Sequence, residues 1–165
     1  MSLQITAGTT QKFAASGGTI THTTTSLAAG AGRMSNPLDL GDPASGRTNT
    51  YLIEATAMLV TAGVLGEEIR YYLMEKVGDN TILMNDDGAV DAAVSAIDKL
   101  NNLRYLGSII VDEAVLAIPM AASFGVVEIN VQNIHIVTWN ATADAFHGTA
   151  ANNTVFVTPI TYSDV

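Results

Sequence analysis

The sequence predicts an all-β fold, a sandwich or barrel carrying one short inserted helix. Seven or eight short segments alternate apolar with polar residues, turn residues separate them, and helical spacing occurs once. A chain of 165 residues is long enough for one domain with a real core.

The first stretch, Gly8 to Asn36, is rich in Thr, Ala, Gly and Ser, with Gly17-Gly18, Thr23-Thr24-Thr25 and Ala28 to Gly32. So few large apolar side chains predict a segment without its own core. Residues 1–36 therefore read as an extended N-terminal arm, with β-capable pieces at Gln11–Ala15 and Thr19–Thr25. Such an arm is either a flexible leader or a segment that orders by pairing with a neighbour. The stretch Asn36 to Pro43, with two prolines and then Ser45-Gly46, marks a turn-rich boundary to a body over residues 37–165.

Within the body, Thr50–Thr61 reads as a strand with Tyr51, Ile53, Ala55, Ala57 and Leu59 on one face. Glu68–Val77 reads as a second, Ile69, Tyr71 and Leu73 alternating with Arg70, Tyr72 and Met74. Gly78-Asp79-Asn80 predicts a turn before a short apolar piece, Thr81–Met84. A helix is expected over Ala89–Asn102, because Val90, Ala93, Val94, Ile97 and Leu100 share helical spacing. Asp86 or Asp87 would cap it, with Lys99 and Arg104 near its end. Further strands are expected at Tyr105–Val111, Glu113–Pro119, Gly125–Val131 and Asn133–Asn140. After a polar loop from Asn140 to Asn153, Thr154–Thr161 makes the last strand, and Pro159 predicts an edge or a bulge there.

Charge narrows the functions. Charged residues make up only 14% of the chain and the net charge is −9. Lys12 and Arg33 are the charged residues before position 37, whereas residues 37–165 hold five basic against sixteen acidic residues. Such a body would repel a phosphate backbone, so no nucleic-acid partner is expected. A charge fraction this low suits surfaces covered in use. No apolar run approaches a membrane span, and the first residues lack the pattern of a secretory signal, so a cytoplasmic site of synthesis is expected.

Motifs that carry chemistry are sparse. Without cysteine there is neither disulfide nor thiolate chemistry. Asn85-Asp86-Asp87-Gly88 with Asp91 resembles half of a calcium loop but lacks the remaining ligand spacing, and a helix cap explains it more simply. His22, His135 and His147 have no metal-ligand spacing. Adjacent carboxylates such as Glu67-Glu68 and Asp112-Glu113 would point to opposite faces of a strand. No nucleophile elbow or phosphate loop occurs. No enzyme activity, cofactor or metal is expected. Trp139, Tyr51, Tyr71, Tyr72, Tyr105 and Phe156 read as core aromatics, or alternatively as a glycan-stacking platform. The sequons at Asn140 and Asn152 would matter only in a secreted chain.

The order of segments from Thr50 to Thr161 resembles small virion structural proteins of tailed bacteriophages. It is carried by Tyr51-Leu-Ile-Glu-Ala-Thr-Ala57, Ile69-Arg-Tyr-Tyr-Leu-Met74, the polar excursion at Gly78 and Asp86, and Leu103 to Ile110. Gly125-Val-Val-Glu-Ile-Asn130 and Ile136 to Thr142 complete it. The layout is similar to that of head decoration (cement) proteins with a jelly-roll-like sandwich. The resemblance implies a homo-oligomer, often a trimer, on the outer capsid surface of the virion, clamping copies of the major capsid protein. The arm is then expected to be the anchor, with Lys12, Phe13 and Arg33 as its contacts. A tail or neck subunit (tube, adaptor or stopper) and a glycan-binding sandwich module are the alternatives.

Overall fold

Alternation in the two best-patterned segments sets the layers of the molecule. In β6 (Thr50–Ala57), Tyr51, Ile53, Ala55 and Ala57 are buried. In β7 (Glu68–Glu75), Ile69, Tyr71 and Leu73 point into the same core, while Tyr72 and Met74 face the other way. The computed structural model describes residues 3–76, 91–94, 96–112 and 118–164.

Among the described residues twelve strands form two six-stranded sheets. The others are β1 (Leu3–Ala7), β2 (Gln11–Ala14), β3 (Ile20–Thr21), β4 (Gly32–Met34), β5 (Leu38–Asp39), β8 (Ala92–Val94), β9 (Arg104–Ile110), β10 (Met120–Glu128), β11 (Asn133–Asn140) and β12 (Thr154–Asp164). The first sheet runs β10-β6-β12-β2-β3, with β1 also on β12. The second runs β8-β4-β11-β7-β9, with β5 also on β11. All pairs are antiparallel except β2 with β3.

This order makes the fold a jelly-roll sandwich. Four strands of one sheet (β2-β12-β6-β10) face four of the other (β4-β11-β7-β9), and among these eight strands the chain crosses between sheets at every step but β7 to β9. The core between them joins Phe13, Ile53, Val155 and Val157 of the first sheet to Ile69, Tyr71, Leu73, Ile134 and Ile136 of the second. A second apolar cluster lies on the outer face of the second sheet. There Met34, Met74, Val137 and Trp139 are packed by Val94 and Leu100.

The structure corrects two sequence expectations. Residues 11–34 are not a free arm: they supply β2, β3 and β4, which pair with β12, β2 and β11. Phe13 is fully buried in the main core. Composition under-reads this segment because one large side chain suffices when the neighbouring strands supply the rest of the core.

The helix expected over Ala89–Asn102 is replaced, within the described residues, by β8 and a 3-10 turn at Ile97–Leu100. The open edge of β4 captures Ala92–Val94. Val94 and Leu100 are buried, but Ile97, on the same helical stripe, is largely exposed.

Smaller shifts have local causes. The strand expected at Gly125–Val131 is β10, which begins five residues earlier and carries a bulge between Ser123 and Val126, where Gly125 adopts φ +75°. Pro159 lies in a central strand, not at an edge. Its carbonyl accepts from the Gly8 amide on the side where β1 gives way to β2, so its missing N–H falls at a break between partners. The expected turn at Gly78–Asn80, the piece Thr81–Met84, the caps Asp86 and Asp87, and most of the strand Glu113–Pro119 lie outside the described residues.

Candidate interaction surfaces

The three expected anchor residues of the arm are all engaged within the chain. Phe13 packs inside the sandwich. The backbone of Lys12 is tied to Thr19: its amide donates to Thr19 Oγ1 at 2.8 Å and its carbonyl accepts from the Thr19 amide at 2.8 Å. Arg33, on β4, grips Asp91 beside β8. Its Nε donates to Oδ1 at 3.0 Å, and its Nη2 donates to Oδ2 at 2.6 Å and to the Asp91 carbonyl at 3.0 Å.

Asp91 also accepts from the Thr23 amide, and its own amide donates to Asn36 Oδ1. Burial alone would raise the Asp91 carboxyl, but the hydrogen bonds from Arg33 and Thr23 outweigh it and hold it at about 2. Asp91, which the sequence places beside half of a calcium loop, is thus a strand-edge clamp.

The histidines do not form a site together. His22 is fully buried and its Nε2 donates to the Arg33 carbonyl at 3.2 Å, burial lowering it to about 4. His135 is also buried and lowered by burial, its Nδ1 donating to the Ser35 carbonyl at 2.8 Å. Both pack on the Arg33–Ser35 segment, while His147 lies in the β11–β12 loop with its amide on the Met58 carbonyl. Among the described residues no cluster of three acidic or histidine side chains is placed to hold a metal.

Asn140, read as a sequon, is a buried loop staple. Its Nδ2 donates to the carbonyls of Leu27, Ala28 and Asp144, and its Oδ1 accepts from the amide and hydroxyl of Thr142. A glycan has no access to it.

The aromatics divide. Trp139 is buried against Gly32, whose missing side chain makes room for the indole: a Cβ there would lie 2.6 Å from Trp139 Cε3 and 2.9 Å from Val94 Cβ. Tyr72 and Tyr105 stand 5.3 Å apart, ring centre to ring centre, along an open groove of about 500 Å³ that also takes in Glu68, Arg70 and Asn101. A recess of about 290 Å³ lies between the sheets near Thr9 and Pro159. Its Arg47 is fully committed to the carbonyls of Gly41, Thr48, Ile129 and Val131 and to the Tyr51 hydroxyl.

Among the described residues, two further exposed apolar surfaces lie at opposite ends of the sandwich. At one end the β6–β7 loop, Met58 to Glu67, is uncharged until Glu67, whose carboxylate accepts from the Ala143 amide, and it exposes Val60, Val64 and Leu65 (46%, 55% and 61%). At the other end β1 and the last residues of β12 leave the sheet as a two-stranded ribbon. Its register pairs Ile5 with Tyr162 and Ala7 with Ile160. Ile5 and Tyr162 share one face and are 62% and 49% exposed. Gln4, Thr6, Thr161 and Ser163 make the opposite face.

Sequence reading missed β1 altogether, although Leu3-Gln-Ile-Thr-Ala7 alternates over five residues. The exposed loop was legible only as a break between strands. Comparison of the sequence with known family models and with curated proteins returns no match.

Proposed function

We propose that the chain is a decoration (cement) protein of a tailed-phage head, a structural subunit that binds the outer shell and bridges neighbouring capsid subunits. The observation that carries this reading is the apolar-tipped loop, uncharged from Met58 to Gly66, at one end of an acidic body. Contiguous exposed apolar side chains mark interaction surfaces, and this loop projects Val60, Val64 and Leu65, which are largely exposed among the described residues. A jelly roll supports the reading, since viral capsid domains use that strand order. A net charge of −9 suits a subunit facing away from packaged DNA. Seated across two capsid subunits, it would favour the assembled shell by mass action.

The test is co-sedimentation with decoration-free tailed-phage capsids. Saturable binding that is lost in the double variant Val64→Asp, Leu65→Asp, with the fold intact, is expected. A wild-type chain that ignores capsids but forms discrete rings would move the assignment to the tail or neck.

One observation favours a glycan-binding module as the second reading. Tyr72 and Tyr105 wall an open groove beside Arg70 and Glu68, the mixture of ring faces and hydrogen-bonding groups that sugars use. The burial of Trp139 removes the strongest stacking residue from any such site. Glycan binding abolished by Tyr105→Ala, without capsid binding, would put this reading first.

A further inference from the structure

We infer that the β1/β12 ribbon is where copies of this chain join, the bare edge of β1 in one copy adding to the bare edge of β12 in the next. The inference stands apart from the shell reading, because it concerns the other end of the molecule and asks nothing of a capsid.

The treatment of the sheet edges singles the ribbon out. An exposed strand edge invites pairing with another chain, and proteins blunt such edges by bulges or shortness. Here β10 is broken by the bulge at Phe124–Gly125, and β9 by a register shift between Tyr105 and Gly107. Among the described residues the remaining outer strands are short: β3 and β5 have two residues each and β8 three. The ribbon has neither device. Its five pairs run without a register shift, and its sequence is uncharged from Leu3 to Ala7 and from Ile160 to Ser163, with one acidic residue, Asp164, in the last pair. In a chain of net charge −9 it is therefore a region that two copies can bring together without strong repulsion.

Backbone direction shows which groups are open. The Gly8 amide donates to the Pro159 carbonyl, so the even-numbered residues of β1 face β12 while Ile5 and Ala7 present their N–H and C=O outward. On β12 the Ile160 carbonyl turns the other way and accepts from Thr48 Oγ1 at 2.6 Å. Tyr162, two residues on, therefore points its backbone groups outward too, and among the described residues no strand covers either edge.

The two edges differ in sequence, so joining one to the other is a head-to-tail contact. Head-to-tail contacts that close make rings. A ring satisfies both edges of every copy and turns the face of Ile5, Ala7 and Tyr162 away from water. A two-fold pairing of β1 with β1 would leave the β12 edge bare.

Light scattering on the full-length chain across a concentration range, with Ala7→Pro and Tyr162→Pro alongside, tests this. Each proline removes one outward donor while sparing the bonds between β1 and β12. The wild type is expected as a discrete species of three or more copies, and both variants as monomers with an unchanged near-ultraviolet circular dichroism spectrum. Ile5→Lys, which adds a charge to the apolar face without touching the backbone, is expected to lower the mass as well, should a proline disturb the ribbon itself. A wild-type monomer or dimer would overturn the inference. So would retention of the wild-type mass in Ile5→Lys or in either proline variant, including loss of assembly in Ala7→Pro alone, the mark of two-fold pairing.

Discussion

Arg33 and Asp91 meet fork to fork across the edge of the second sheet, Nε to Oδ1 at 3.0 Å and Nη2 to Oδ2 at 2.6 Å. The pair joins β4 to the chain entering β8, and both side chains are mostly shielded from water. Two parallel hydrogen bonds between a guanidinium and a carboxylate are stronger and more directional than a single contact. Removing one partner leaves the other desolvated. Arg33→Ala is expected to destabilise the fold by about 2–3 kcal/mol, with Arg33→Lys intermediate because it keeps the charge but not the fork. Urea unfolding checks both, and equal midpoints for the alanine and lysine variants would show that fork geometry adds nothing.

Acid should weaken the fold through His22. Its imidazole is buried neutral and its folded value is lowered to about 4, chiefly by burial. In the unfolded chain it takes up its proton near the ordinary value of about 6.5. Between those limits the unfolded state binds the extra proton, so stability falls as pH drops from about 6.5 to about 4 and is fully present above that window. The loss attributable to this group is on the order of 3 kcal/mol. His135, also lowered, acts in the same direction. His22→Gln should flatten the pH dependence of the unfolding midpoint across that window, and an unaltered slope would rule His22 out as its source.

Truncation distinguishes an arm from a structural segment. Because residues 11–34 pair in both sheets and Phe13 fills the core, deleting residues 1–36 is expected to leave a chain that does not fold. The milder Phe13→Ala should cost about 3–5 kcal/mol. A folded, cooperatively melting product of the deletion would contradict the strand pairing described above.

Thr138 offers a stabilising change. It points into the core from β11, is almost completely buried, and its hydroxyl has no hydrogen-bond partner among the described residues. Thr138→Val keeps the shape and replaces a desolvated hydroxyl by a methyl group. A gain of about 1 kcal/mol is expected, which raises the melting temperature by roughly 2–4 °C in a domain of this size. A lower melting temperature would mean that the hydroxyl is satisfied in solution.

Gly32 tests the fit around Trp139. A Cβ at this position would collide with the indole and with Val94, neither of which can give way freely. Gly32→Ala is expected to cost about 1–3 kcal/mol, visible as a shift in tryptophan emission together with a lower melting temperature. Unperturbed emission would show that the indole is not packed against this strand.

Sequence patterning was most informative where one face of a strand is buried. The alternation in Thr50–Ala57, Glu68–Glu75 and Asn133–Asn140 specified strands and, for the first two, which residues share a face, because a period of two has no competing explanation over eight residues. It was least informative for Gly32–Met34 and Ala92–Val94, which are too short to show a period. The latter also mimics helical spacing through Val90, Ala93, Val94, Ile97 and Leu100. Lys12, Phe13 and Arg33, expected as an arm's contacts with a partner, stand in a Thr- and Gly-rich stretch, and the last two serve this chain's own core and sheet edge. Which partner a lone large or charged side chain finds is a tertiary fact.

Residue patterning alone settles an all-β fold, a sandwich or barrel, because alternation and turn residues act locally. Long-range pairing places the N-terminal segment in the sandwich, sets Asp91 against Arg33 and leaves a ribbon and an apolar loop at the two ends. These depend on pairings between residues far apart in the chain, such as Phe13 with Val155 and Ile5 with Tyr162. Strand pairing is chosen by which free edge and which apolar face remain once the stronger strands have paired, and that choice leaves no local trace.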